Sequence, residues 1–260
     1  MINFVSFGTK NCEELLKFFY NNLLEFCNED FKLHYFSINY DSKVIGEKLI
    51  YHKINYDKKY NNAFFYKPIV LLKSLMDIDC ENFVYLDLDI LLTKNFSSDT
   101  LFSTVNKSKT PLSPNHYWEY PFLFKNNEEI KMGEKVCKLK SIERCNQYVQ
   151  ACLIVYNKNH FEFLVDWISL VNDDSVSNLS VDDEELYNAT LWKYNQTKTL
   201  GYICVTNGTV NIDNLGCFNS IKLAHEKYEL NQFDKSMFTN QNNFYKNFDN
   251  KNVMIFHGIK

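Results

Sequence analysis

A chain of 260 residues with 45% hydrophobic and 23% charged side chains is long enough for one sizeable α/β core and has an ordinary soluble-protein balance. Its formal charge of -4 gives no reason to expect a general nucleic-acid binder, and its single arginine, Arg144, leaves anionic groups to metal, lysine and backbone N–H. Eight cysteines fall without a CxxC pair or other zinc-ligand spacing, and no apolar run reaches the roughly 18 residues that span a bilayer, so the expectation is a cytoplasmic protein with reduced thiols and no transmembrane segment.

Met1 leads directly into a strand pattern, Ile2 to Phe7, ended by Gly8-Thr9, with no signal-peptide pattern ahead of it. Leu15, Leu16, Phe19, Leu23 and Leu24 recur at helical spacing between Cys12 and Cys27. Lys32 to Ile38 and Leu49 to Ile54 read as strands, and Phe64 to Met76 as a helix that tolerates Pro68 in its first turn. Strand, helix, strand, strand, helix, strand over about 95 residues is the pattern of a wound α/β sheet. The last of those strands is Phe83-Val84-Tyr85-Leu86-Asp87-Leu88-Asp89-Ile90-Leu91-Leu92.

Its two carboxylates cannot be buried unpaired, so the pair belongs where the strand leaves the sheet. There a hard divalent cation can neutralise both, and ligands of wound sheets bind beyond the carboxyl ends of strands. Metal with carboxylates points to a phosphate-bearing substrate and to an enzyme.

The stretch from Ser97 to Gln147 reads as irregular and holds a Lys-rich segment, Lys131 to Lys140. His116, Tyr117, Trp118 and Tyr120 cluster there, either as a sugar-stacking platform or as a satellite core. Ala151 to Tyr156 is a core strand, His160 to Val171 a helix, and Asn172 to Ser180 a polar loop. Asp182 to Tyr194 reads as a helix whose acidic start suits its positive end. Leu200 to Thr206 and Val253 to Phe256 read as strands, and the chain ends in His257-Gly258-Ile259-Lys260.

Taken in order, these segments resemble the metal-dependent nucleotide-sugar glycosyltransferases of the GT-A fold. The resemblance is to family 8, the glycogenin and lipooligosaccharide galactosyltransferase type. It is carried by Phe65 to Leu75 followed by Asp87-Leu88-Asp89, by Gln150 to Asn157, by Asp183-Glu184-Glu185-Leu186-Tyr187-Asn188, and by His257-Gly258-x-Lys260. The acidic tract is similar to both the Asp-Gln-Asp-x-x-Asn motif of family 8 and the Asp-Glu-x-x-x-Asn motif of family 6. The chain departs from family 8 at Gln150 (usually asparagine), at Cys152 (usually glycine) and at its shortened His-Gly ending. It is therefore similar to a divergent GT-A relative.

The resemblance implies one GT-A domain over 1–260, with a mixed, mostly parallel sheet, a nucleotide-binding half over 1–96 and an acceptor half over 97–260. It implies transfer of a sugar from a nucleotide-sugar, a UDP-sugar first, to a glycan, lipid-linked sugar or protein hydroxyl, with retention. Mn²⁺, with Mg²⁺ as a substitute, would be held by Asp87, Asp89 and His257. Phe7, Gly8, Thr9, Lys67, Asp87, Gln150, Gly258 and Lys260 would bind the donor. Glu184 would act as nucleophile or stabilise the oxocarbenium-like centre, and Asp183 would bind sugar hydroxyls. The competing readings are a helix cap for the acids, a haloacid-dehalogenase-type phosphatase using Asp87 and Asp89, and a catalytically inactive binding module.

Overall fold

The computed structural model describes residues 1–56, 60, 63–88, 90–92, 98–114, 133–145, 148–195, 200, 204–206, 209–211 and 218–220. Asp89, the 116–120 aromatic cluster, the expected strand at 253–256, and His257, Gly258 and Lys260 lie outside the described residues. Five strands form the main sheet in the order β3-β2-β1-β4-β6. They are β1 (Ile2–Gly8), β2 (Phe31–Ile38), β3 (Leu49–Ile54), β4 (Asn82–Leu86) and β6 (Leu153–Asn157). The chain divides into two compact units, Met1–Asp57 with Leu86–Asp99 and Cys204–Lys260, and Lys58–Tyr85 with Thr100–Ile203.

In the first unit β1 pairs parallel with β2, and β2 parallel with β3. Every residue of β1 is buried, and β2 exposes only Lys32, as befits strands inside a covered parallel sheet. α1 (Glu13–Phe26) carries the expected apolar face, with Leu16, Phe19 and Leu23 fully buried. Parallel neighbours normally need a crossover of a dozen or more residues, usually a helix. Here the β2–β3 connection is Asn39 to Lys48 and contains no helix. Its stability comes from tethers to α1. The Glu13 carboxylate accepts from the Ser42 hydroxyl (2.9 Å) and from the Lys43 N–H, which holds the Glu13 pKa below its ordinary value. Gly46 lies so close to Tyr20 that an added Cβ would fall 2.3 Å from its ring.

The strand bearing the expected Asp pair is two strands. β4 ends at Leu86, a turn closed by Ile90 N–H to Asp87 O (3.0 Å) follows, and then β5 (Ile90–Leu92). β5 pairs antiparallel with β9 (Phe218–Ser220). β7 (Cys204–Thr206) and β8 (Thr209–Asn211) form a hairpin.

In the second unit, α2 (Lys67–Asp77) follows a 3-10 turn at Ala63–Tyr66 and carries Pro68 in its first turn. Among its described residues, the tract read as irregular contains two helices, α3 (Asp99–Val105) and α4 (Glu134–Lys140). α4 is short and lysine-rich, so its buried Val136 and Cys137 carry too little periodicity to be read. α5 (Phe161–Val171) and α7 (Asp183–Lys193) match the sequence reading, and the polar loop between them holds one helical turn, α6 (Asp174–Ser177). α7 buries all seven residues from Leu186 to Trp192. Trp167 of α5 packs on Tyr187 of α7 at 4.7 Å between ring centroids.

Two buried histidines serve the core as neutral rings. The Asn157 N–H donates to His160 Nδ1 (3.2 Å), so Nε2–H is left to donate to the Ser108 carbonyl (3.2 Å). In the first unit His34 joins Asn3 Oδ1 (2.9 Å) and His52 Nε2 (3.0 Å) in a row across three strands. Burial pushes both pKa values down to about 4, with the His52 and Lys32 charges adding to the effect at His34. The unfolded chain therefore takes up protons as pH falls through 6.5, whereas the folded rings resist until about 4. Their stabilisation is complete above pH 6.5 and lost on the way to 4. Thermal or urea unfolding across that range should show a loss of roughly 2–3 kcal/mol per ring. His160→Gln should remove about half of the slope; an unchanged slope would assign it to other groups.

Candidate active site

The sequence places twelve candidate residues at or near the ends of strands and at two helix starts. In the first unit Phe7 and Gly8 close β1, Thr9 follows, and Asp87 leaves β4 half-buried on the turn just described. Gly8 has a packing reason as well as a positional one. A Cβ there would fall 2.5 Å from the Tyr35 hydroxyl and 2.8 Å from Cys12 Cβ. The Tyr35 phenol fills that space and hydrogen-bonds Tyr40 at 2.8 Å. Burial raises the pKa of both, Tyr40 to about 12, so both stay neutral hydroxyls.

In the second unit the first turn of α7 gathers the other candidates. Asp182 is its N-cap, its side chain accepting from Glu185 N–H (2.8 Å) while Glu185 reaches back to Asp182 N–H (3.2 Å). That reciprocal arrangement is a capping box, legible in the sequence as Asp-x-x-Glu. Glu185 also accepts from the Gly133 N–H (2.7 Å). Gly133 is doubly required there, with φ +73° and a Cβ position 2.8 Å from the Trp192 ring.

Asp183 and Lys67 form a buried ion pair of 2.8 Å, with relative side-chain exposures of only 9% and 3%. Lys67 Nζ also donates to the Ala151 carbonyl (3.0 Å) and lies 5.4 Å from the centroid of the Tyr85 ring. The sequence reading gave Lys67 to donor phosphates; the structure gives its ammonium a carboxylate, a carbonyl and an aromatic face.

The segment Tyr148 to Cys152, just before β6, is fixed from the same side. Glu184 accepts from Ala151 N–H (3.1 Å). Asn188, one turn further along α7, takes Val149 N–H on Oδ1 and gives Nδ2–H to Val149 O, both at 2.8 Å. The buried Gln150 sits between these two anchors, its N–H on Pro114 O (2.9 Å) and its Oε1 3.4 Å from the Cys152 thiol. Burial, with Glu184, Asp182, Glu185 and Asp183 around it, pushes the Tyr148 phenol far above its ordinary pKa. Sequence reasoning missed Tyr148, Gly133 and the bidentate use of Asn188. Asn188 was visible only as the last letter of a motif.

Four acids at one helix start interact. Asp182 is pushed up to about 6, the surrounding protein and the charges of Glu184, Asp183 and Glu185 outweighing the Glu185 N–H bond. Asp87 is the one expected metal ligand among the described residues, and there no three metal-binding side chains come together. Its place fits an oxygen ligand nonetheless: a half-buried carboxylate on a turn at the end of a buried strand. No helix among the described residues is long and apolar enough to cross a membrane.

No known family's sequence profile matches the chain, and no curated protein matches it. Similarity appears among solved structures. The galactosyltransferase LgtC in complex with donor and acceptor sugar analogues is similar with a TM-score of 0.50 and 12% identity over 72% of this chain and 70% of that one. An active-site mutant of LgtC, glutamate for glutamine, gives 0.50 and 13% over 72% and 69%. The likeness shows the fold: a GT-A, Rossmann-like architecture with a mixed, mostly parallel sheet.

Two stability tests follow from the acidic turn. Lys67→Met should cost about 3–5 kcal/mol by stranding a buried carboxylate, and adding Asp183→Leu should recover most of it. If the double variant is no more stable than the single one, the pair is not the coupling seen here. Asp182→Asn keeps a good cap and removes one of four like charges. Because the folded Asp182 pKa is raised, its penalty is full above pH 6 and relieved as pH falls towards 4. The variant should therefore melt higher than wild type at pH 7 and lose that advantage by pH 4, as calorimetry would report.

Proposed function

We propose that this chain is a single-domain GT-A glycosyltransferase that moves a hexose from a nucleotide-sugar, a UDP-sugar first, to a hydroxyl of a glycan, lipid-linked sugar or protein, with retention. The observation that carries the reading is the first turn of α7, where Glu184 is a half-buried carboxylate braced by the Ala151 N–H on a fold shared with a galactosyltransferase.

In this reading, Phe7, Gly8 and Thr9 receive the nucleobase. Asp87, with Asp89 and His257, would hold a Mn²⁺ ion, for which Mg²⁺ would be the harder substitute; the ion supplies Lewis-acid neutralisation of the leaving diphosphate. Gly258 and Lys260 contact that diphosphate. Gln150 meets the sugar. Glu184 faces the anomeric carbon, as nucleophile or as the charge that stabilises an oxocarbenium-like centre. Asp183, neutralised by Lys67, orients sugar hydroxyls, and Lys67 serves the donor by holding Asp183 and Ala151 in place.

The test is nucleotide release from a panel of UDP- and GDP-sugars with Mn²⁺ or EDTA. Release should need the metal and favour one donor. Glu184→Gln keeps an acceptor for Ala151 N–H and should lower turnover roughly 100-fold or more with unchanged melting. Asp87→Asn should raise the Mn²⁺ requirement. A wild-type protein with no release and no nucleotide-dependent rise in melting temperature would return the chain to a binding module. Phosphate release from a sugar phosphate, in place of nucleotide release, would favour the phosphatase.

A further inference from the structure

The first turn of α7 has a second side. Val181, just before it, and Leu186, within it, line a cavity of about 240 Å³. Val171 at the end of α5 and Val176 of α6 complete a buried floor, and Phe65 and Leu179 add half-buried walls. Tyr60 stands at the rim, edge-on to Tyr66 with 5.1 Å between centroids, its hydroxyl donating to Asn172 Oδ1. Among the described lining residues the only charged one is Asp174, and it is negative.

We propose that this cavity is an aglycone subsite, taking an alkyl or aryl group carried by the acceptor sugar. The inference rests on the transferase reading. The described lining, with a carboxylate and no cation, does not suit an anionic donor. A whole substrate is excluded by size, since sites for complete small molecules run to about 300–1,000 Å³. What fits is an apolar fragment, one ring or a short chain, whose burial is favourable in proportion to the area it removes from water. The location ties that fragment to the acceptor. Val181 lies two residues from Asp183, and Phe65 two from Lys67, so the walls of the cavity belong to the segments that make the buried ion pair. The Tyr60–Asn172 bond and Ser177 leave a polar rim for the hydroxyls of a sugar outside.

The test compares methyl, butyl and octyl glycosides of one acceptor sugar, each below its micellar concentration, with the donor found by nucleotide release. KM should fall about tenfold or more from methyl to octyl with little change in kcat. Val181→Trp, which fills the cavity from its half-exposed wall, should raise the octyl KM to the methyl value. Its methyl KM and acceptor-free donor hydrolysis should stay at wild-type levels. Leu179→Trp, from another wall, should do the same, and both should abolish fluorescence of N-phenyl-1-naphthylamine with the wild-type protein. Equal KM values for methyl and octyl glycosides in a wild type that transfers sugar would overturn the subsite and leave the transferase standing. Chain-length dependence that survives both tryptophan variants would also overturn it. No turnover of any donor would remove the transferase and the aglycone assignment together.

Discussion

The buried contact between Lys67 and Asp183 joins three pieces of chain that lie far apart in sequence: the start of α2, the start of α7 and the segment before β6. Each group would be untenable alone. A lysine 2% exposed needs an anion, and an aspartate 7% exposed needs a cation. Once they meet, the lysine has a hydrogen left for the Ala151 carbonyl, and that bond sets the height of the Tyr148 to Cys152 segment against α7. Glu184 and Asn188 then take the neighbouring N–H groups of Ala151 and Val149. The pair is thus less a source of net stability than a way of making three segments share one geometry.

Concentrating Asp182, Asp183, Glu184 and Glu185 in one turn is costly unless each carboxylate has a different outlet. The helix N-terminus supplies one, through N–H groups and the dipole. Glu185 and Asp182 use it reciprocally, and Glu185 extends it to Gly133. Asp183 uses Lys67, and Glu184 uses a backbone N–H outside its own helix. The residual strain shows at Asp182, pushed up to about 6 first by loss of solvation and then by its three acidic neighbours.

Most of the architecture was legible because it rests on periodicity. The apolar stripe of α1, the Pro68 start of α2 and the β1 to β3 strands are local signals, and each element formed where its pattern lay. Two kinds of feature were not legible. α4 is a short lysine-rich helix that docks through Gly133 and Val136, with no amphipathic stripe long enough to announce it. The break after Leu86 is a turn written in residues of strand character, since Leu88 and Ile90 are apolar and buried either way. At the acidic turn the sequence named residues whose partners it did not show. Lys67 beside Pro68 looks exposed in a one-dimensional reading, and only the arrival of Asp183, more than a hundred residues later, explains its burial.

That partnership also bears on two adjacent carboxylates, of which the family resemblance gave Glu184 the catalytic place and Asp183 the sugar hydroxyls. A carboxylate held at 2.8 Å by a buried ammonium has its charge largely compensated, and moving it would strand Lys67. Glu184 is half-buried, and its carboxylate accepts from the Ala151 N–H. An electrostatic catalyst needs a charge that is fixed before the reaction and uncompensated until the transition state develops. In the transferase reading proposed above, Glu184, held by a backbone N–H and not by a buried ammonium, is the carboxylate given that role.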